Sequence, residues 1–154
     1  MTEHMIQTAM LAEKNESSPS LVCASLLHDY GHFILEDPEK LVNKKEDGKH
    51  ENVGYLFLKK YFNKNVVEPI KYHVKAKRYL ARNQKYYQIL SPASVASLHL
   101  QGGVMNDNEA EKFKKNMYFK DAIQLRKFDE AAKKTGIKMK SINDYENLLN
   151  SNLR

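Results

Sequence analysis

The stretch LLHDYGHF, residues Leu26–Phe33, ends an apolar run and carries three potential metal ligands. Because successive residues of an α-helix are turned by about 100°, the side chains of His28, Asp29 and His32 can converge on one point, with Gly31 removing bulk between them. Imidazole nitrogens and carboxylate oxygens bind iron, manganese or zinc, and one carboxylate can bridge two ions. A polar helix end whose histidines bond to backbone carbonyls explains the same stretch equally well.

The residues on either side of this stretch predict an all-α fold. Apolar residues recur at helical spacing, and no segment shows the strict alternation of a half-buried strand. Ser18 followed by Pro19 is a helix start, and Ser91 caps a second helix that ends at a double glycine. The predicted helices cover about 3–14, 19–30, 50–62, 66–83, 91–101, 107–116, 119–136 and a terminal segment from Ser141, with a polar loop at 36–49.

Length and composition restrict the class of protein. A chain of 154 residues with 42% apolar residues is enough for one domain with one core. Its apolar runs are far shorter than the roughly 20 residues of a membrane span. No leader for export precedes the first helix, so we expect a soluble, cytoplasmic protein without a membrane partner. The lone Cys23 lies in an apolar run and is expected to be buried.

The net charge of +6 fits either a nucleic-acid surface or attraction of small anions. Lysines are interleaved with acidic residues along the chain, as expected for solvated helix faces. No aromatic-interleaved basic motif is present, so we predict no nucleic-acid partner.

Three further histidines make a metal site the better explanation of the opening stretch. His4, His50 and His73 each lie in a separate predicted helix beside apolar neighbours. One histidine on an apolar face is more often a satisfied core residue than a ligand. Several buried imidazoles are costly unless something compensates their polar atoms, and a metal ion would do so.

In this pattern the sequence resembles the HD-domain superfamily, through His4, His28-Asp29, His50, His73 and Asp129. It is similar in particular to the HD-domain oxygenases of phosphonate degradation, relatives of myo-inositol oxygenase. The segments that carry the resemblance are EHMIQTAMLAE, LLHDYGHF, HENVGYLFL, HVKAKRYL, LSPASVASLHLQGG and LRKFDEAAK. It implies one HD domain over residues 1–154, a helical bundle with a metal site in its core, with the family core at about 3–133 and a helical tail at 137–154.

The same resemblance implies two iron ions in a mixed-valence Fe(II)/Fe(III) state, with O2 as co-substrate. It assigns one iron to His4, His28 and Asp129, the other to His50 and His73, and the bridging position to Asp29. It also implies catalytic roles for His28, Asp29 and His32, and substrate binding by His32, Lys77, Ser94 and Arg126.

Helical spacing supports the two cations in this set. Lys77 follows His73 by one turn and Arg126 precedes Asp129 by one turn, so each cation would point the same way as a metal ligand and could face one bound anion. For an isolated lysine or arginine, a solvated helix face is the simpler explanation.

The resemblance implies a non-haem di-iron oxygenase that cleaves the carbon–phosphorus bond of a small α-hydroxyphosphonate and releases phosphate and a carboxylic acid. One alternative is a metal-dependent HD phosphohydrolase of a nucleotide or phosphomonoester. Another is an inactive HD-type binding module, because only Met1–Glu3 precede His4, where family members carry a tyrosine and a glutamate that close over the iron.

Overall fold

Helices form the regular structure of residues 1–35 and 49–154, the residues that the computed structural model describes. The prediction of an all-α fold is confirmed, and most of the predicted polar loop lies outside the described residues. The α-helices are α1 Thr2–Lys14, α2 Pro19–Leu27, α3 Gly31–Ile34, α4 His50–Leu58, α5 Lys64–Leu80, α6 Gln84–Ile89, α7 Pro92–Leu100, α8 Asp107–Lys114, α9 Phe119–Ala131 and α10 Glu146–Ser151, and a 3-10 helix covers Ile142–Tyr145. No helix in these ranges combines the length and apolarity needed to cross a bilayer.

Side-chain caps fix the helix starts that the sequence predicted. The Ser18 hydroxyl accepts a hydrogen bond from the Leu21 amide at 3.2 Å, and Ser91 does the same for Ser94 at 3.2 Å. In both helices a proline follows the cap, where its missing N–H has no intrahelical partner to lose. The beginnings of α2 and α7 therefore follow from local sequence.

The end of α2 was predicted wrongly. The helix ends at Leu27 and not at Tyr30, and a separate short helix, α3, begins at Gly31. Between them the amide of Tyr30 bonds to the Leu27 carbonyl and the amide of His32 to the Asp29 carbonyl, both at 3.0 Å. These i to i+3 bonds tighten the backbone into a turn, so His28 and His32 do not share one helix face.

Several other predicted boundaries need correction. The helix α9 ends at Ala131 and not at residue 136, because the backbone of Ala132 leaves the helical conformation. The fourth helix ends at Leu58 instead of residue 62, and α5 covers Lys64–Leu80 instead of 66–83. The short helix α6 was not predicted; it begins where Asn83 accepts a hydrogen bond from the Tyr86 amide at 3.1 Å. This cap ends the preceding helix a few residues earlier than apolar periodicity alone suggests.

The core lies where α1, α2, α5 and α9 pack together. Its most deeply buried large side chains include Leu26, Ile70 and Leu125. The segment after α9 packs back onto this core rather than fraying: Tyr145 is 2% exposed and donates its hydroxyl to Glu13 at 2.5 Å. The four core helices or their ends also carry His4, His28, His73 and Asp129, so core packing positions these side chains.

Candidate metal centre

All the predicted site residues except His28, which lies fully buried behind Asp29 and Asp129, line one cavity of about 670 Å³. It lies beside the core, and α7 forms one wall, which the small residues Ala93, Ser94, Ala96 and Ser97 line. The histidines and aspartates lie at one end. The predicted substrate-binding cations lie nearer α7. This separation gives the cavity a metal-ligand end and a cationic end.

Two carboxylates and two histidines form the first ligand group. The Nε2 atom of His4 lies 2.9 Å from Asp129 Oδ1 and 3.6 Å from Asp29 Oδ2. The Nε2 atom of His28 lies 3.4 Å from Asp129 Oδ1 and 3.3 Å from Asp29 Oδ2. One donor atom from each of these four residues falls within 4.8 Å of the others, which is close enough for one metal ion.

The second group uses the other oxygen of the same aspartate. Asp29 Oδ1 lies 3.2 Å from His50 Nε2 and 3.7 Å from His73 Nε2, and these two nitrogens are 3.1 Å apart. Asp29 therefore belongs to both groups, with Oδ2 facing His4 and His28 and Oδ1 facing His50 and His73. This is the arrangement that a carboxylate bridging two metal ions requires.

Backbone carbonyls orient three of the four imidazoles. The Nδ1 atoms of His4, His28 and His73 lie 2.8, 2.7 and 2.6 Å from the carbonyl oxygens of Ala132, Ser25 and Ile70. When Nδ1 donates its hydrogen to a carbonyl, Nε2 is the nitrogen left with a lone pair. In all three rings Nε2 is therefore the nitrogen available to a metal ion.

His50 has a different neighbour. Its Nδ1 atom lies 3.6 Å from Glu51 Oε2, a buried carboxylate oxygen that has no hydrogen-bond partner among the described residues. A carboxylate beside the outer nitrogen of a ligand histidine is a common way to hold the ring and raise its basicity. Glu51 was not predicted as a site residue, although its position directly after the predicted ligand His50 could have indicated it.

The chemistry of these atoms fits metal ions. His28 Nε2 is buried without a hydrogen-bond partner in the described structure, an arrangement that is costly unless a ligand compensates it. The donors are imidazole nitrogens and carboxylate oxygens, which suit iron, manganese or zinc. Assignment of the six residues to particular ions stays a prediction.

The carboxylates are held in their charged form. Burial alone would raise the pKa of Asp129, but Arg126 and His28 outweigh it and hold that pKa well below its usual range. Burial is likewise outweighed at Asp29, whose pKa is lowered by His28 and by hydrogen bonds from the surrounding histidines. In turn, Asp29 and Asp129 overcome burial and raise the pKa of His28. The cluster therefore concentrates negative charge where a cation would bind.

His32 lies beside the second group but outside both. Its Nε2 atom is 3.9 Å from Asp29 Oδ1, and its ring stacks on His50 with centroids 4.0 Å apart. Burial and then the neighbouring His50 lower the pKa of His32 to about 4, so the imidazole is neutral at physiological pH. It also lines the cavity, where a substrate contact is geometrically open to it.

At the cationic end, Lys77 is 5% exposed and donates to Ser97 Oγ at 2.8 Å. Arg126 is buried and donates to Asp129 and Glu130, to the Tyr86 hydroxyl at 3.1 Å and to Ser94 Oγ at 3.3 Å. The predicted substrate residues Lys77, Ser94 and Arg126 thus line one cavity together with three of the ligand histidines, His4, His50 and His73.

Two charged residues at the cationic end of the cavity, Glu130 and Lys133, were not predicted from the sequence. Glu130 accepts hydrogen bonds from Arg126, from Ser94 at 3.0 Å and from the Ser91 amide at 2.8 Å. Lys133 also lines the cavity. Both stand at i+4 spacing from predicted site residues, Glu130 from Arg126 and Lys133 from Asp129, and that spacing was a usable signal.

Comparison with known proteins agrees with this geometry. The family model described as the HD domain matches residues 1–129. A hydroxymethylphosphonate dioxygenase from Gimesia maris is 41% identical over 145 residues, which cover 93% of this chain and 72% of the relative. A 1-hydroxy-2-(trimethylamino)ethylphosphonate dioxygenase (glycine-betaine-forming) from Leisingera caerulea is 42% identical over 135 residues, which cover 87% of this chain and 69% of the relative. The predicted resemblance is confirmed, and the chain belongs to the HD domain family.

Proposed function

We propose that this protein is a non-haem di-iron oxygenase that cleaves the carbon–phosphorus bond of a small α-hydroxyphosphonate with O2. The observation that carries the proposal is the position of Asp29, whose two oxygens face two different histidine pairs. Relatives named as phosphonate dioxygenases, similar over most of this chain, supply the reaction class. In the proposed enzyme, residues 1–154 form one HD domain.

In the proposed holoenzyme, His4, His28 and Asp129 hold one iron, His50 and His73 hold the other, and Asp29 lies between them. When bound, a mixed-valence Fe(II)/Fe(III) pair supplies the redox chemistry that lets O2 react with the substrate. The protein keeps both carboxylates ionised and presents each Nε2 lone pair inward. Core helices fix these side chains before the ions bind, which reduces the reorganisation that binding requires.

The cationic end of the cavity would orient the substrate. Lys77 lies one turn after His73 on α5 and Ser94 lies on the facing wall formed by α7, so a phosphonate held by them would have the carbon that carries its hydroxyl group beside the ligand groups. Neutral His32, stacked on His50, would contact the substrate beside them. Positioning of this kind and neutralisation of the anion are the contributions we assign to the protein.

The proposed reaction balances without an external reductant. Hydroxymethylphosphonate and O2 contain together the atoms of formic acid and phosphoric acid. The carbon–phosphorus bond breaks, carbon is oxidised to the level of a carboxylic acid, and the four electrons that this requires are accepted by O2.

A phosphohydrolase of a nucleotide or phosphomonoester is the runner-up. It could use Lys77 and the neighbouring serines for phosphate, and it needs only the first ligand group. The second group, His50 and His73 around the far oxygen of Asp29, favours the dinuclear oxygenase instead. A complete set of ligand residues likewise argues against an inactive binding module.

The test is phosphate release from hydroxymethylphosphonate by iron-loaded protein under air and under argon. We expect release under air only, and its loss in His73→Ala. The matched control is His99→Ala, which removes an exposed histidine of α7 that does not line the cavity and should leave the rate unchanged. Equal release under argon, or none under air from this substrate and from its trimethylaminoethyl analogue, would refute the proposal.

A further inference from the structure

Arg126 is poorly placed to be the main binder of a doubly charged anion. The residue is 5% exposed, and its guanidinium already donates to the carboxylates of Asp129 and Glu130. Its remaining contacts are to the Tyr86 hydroxyl and to Ser94. Because its charge is shared with two acidic neighbours, an incoming anion would gain less from Arg126 than from a cation with mainly neutral partners.

Lys133 is such a cation. Its Nζ atom donates to Ser94 Oγ at 2.8 Å, to Ser91 Oγ at 2.9 Å and to Glu130 Oε2 at 3.1 Å. Two of these three partners are neutral hydroxyls, and the side chain is 36% exposed at the cavity wall. A lysine stem is flexible, so Nζ can stay on Ser94 while it contacts a bound anion.

The two lysines favour a doubly charged anion at this end of the cavity. Arg126 is paired with Asp129 and Glu130, whereas Lys77 donates to one serine hydroxyl and Lys133 to two. Each lysine attracts a fully ionised phosphonate head group, with two negative charges, more strongly than a sulfonate of the same shape, which carries one.

We infer that Lys133 is a further substrate-binding residue, which acts with Lys77 to select a doubly charged phosphonate head group over a singly charged sulfonate. The inference rests on the proposed function, because it names the cation that receives the substrate's anionic end. It differs from the expectation drawn from sequence, in which Lys77 and Arg126 alone supplied the positive charge.

The experiment is calorimetric titration of iron-loaded protein under argon with methylphosphonate and, separately, with methanesulfonate, at a pH above the second pKa of methylphosphonate so that this probe carries two charges. The variants are Lys133→Gln, which keeps the length and removes the charge, and Lys133→Arg, which keeps the charge. Lys127→Gln is the matched control, since Lys127 is exposed on α9, shortly before Lys133 in the sequence, and does not line the cavity. Thermal melts of all variants confirm that each is folded.

We expect Lys133→Gln to weaken methylphosphonate binding about tenfold and methanesulfonate binding much less, because a charge-assisted hydrogen bond is lost. Lys133→Arg should stay close to wild type, and so should Lys127→Gln. If Lys133→Gln keeps both the wild-type affinity for methylphosphonate and the preference for it over methanesulfonate, the inference is overturned. If Lys133→Gln does not fold, Lys133→Arg decides: that variant keeps the charge, so loss of the preference in it overturns the inference.

The two proposals fail differently. Wild-type protein that prefers methylphosphonate through Lys133 but releases no phosphate under air supports the binding role and refutes the oxygenase. Wild-type protein that releases phosphate under air but binds methylphosphonate no better than methanesulfonate supports the oxygenase and refutes the binding role.

Discussion

Gly31 lies directly against the backbone of His50. A Cβ atom on Gly31 would be 1.9 Å from the His50 carbonyl oxygen, far inside the contact distance of real atoms. This approach brings α3 onto the first turn of α4 and leaves Asp29 Oδ1 3.2 Å from His50 Nε2. The glycine therefore holds together the two ligand groups that share Asp29.

Gly31→Ala should separate these groups. The added methyl must displace the α4 backbone, so we expect a loss of about 1–3 kcal/mol in the free energy of unfolding and the loss of one of the two proposed irons. Denaturant unfolding and iron content measure these effects. Asn52→Ala, at an exposed position of the same helix, is the control and should change neither. Full iron content in Gly31→Ala would show that the contact is not needed.

Glu51→Gln should weaken metal binding at one group only. The change removes the negative charge 3.6 Å from His50 Nδ1 while it keeps the side-chain shape. Replacement of such outer carboxylates typically lowers metal affinity at least about tenfold. Competition with a chelator should therefore release one iron earlier than in wild type, and the other unchanged. Identical release curves would exclude a role for Glu51.

Anion binding should depend on pH through Lys77. Burial and then the nearby Arg126 lower the pKa of Lys77 to about 8; Lys133 lowers it further, while Asp129 and Glu130 oppose the shift. Lys77 is charged below that pH, so its contribution to methylphosphonate affinity should be lost as pH rises above about 8.

Lys77→Arg isolates this effect, because arginine stays charged over the whole range. We expect its affinity for methylphosphonate to change less between pH 7 and pH 9 than that of wild type. Parallel pH profiles for the two proteins would show that Lys77 does not titrate in this range.

Cys23 should be inert in the folded protein. It is fully buried in the core, and burial raises the pKa of its thiol to about 12. Since the thiolate is the reactive form, a thiol reagent such as dithiobisnitrobenzoate should react only after unfolding. Rapid labelling of native protein would contradict the described packing around α2.

Local sequence predicted much of this fold because local physics determines it. The caps at Ser18 and Ser91 need only a hydroxyl and a following proline, and the apolar spacing fixes which helix faces are buried. The residue types of the candidate ligands are also a local property. For these reasons the sequence predicted the helical class and most helix starts.

Boundaries and contacts set by distant residues were not predictable in this way. The turn at 28–30 accompanies the packing of Gly31 on His50, which is 19 positions away in sequence. Helical geometry therefore placed His28 and His32 on one face, whereas His32 stacks on His50. The pairing of Arg126 with Glu130 was local and could have been predicted from its i+4 spacing.

The number of iron ions that one chain binds tests the central claim most directly. Titration of metal-free protein with Fe(II) under argon, followed by desalting and metal analysis, should give two per chain. Partial oxidation should then give an electron spin signal from a coupled pair, and that signal should change when hydroxymethylphosphonate is added. Saturation at one ion per chain, or an uncoupled signal that the substrate does not alter, would contradict a dinuclear site built on Asp29.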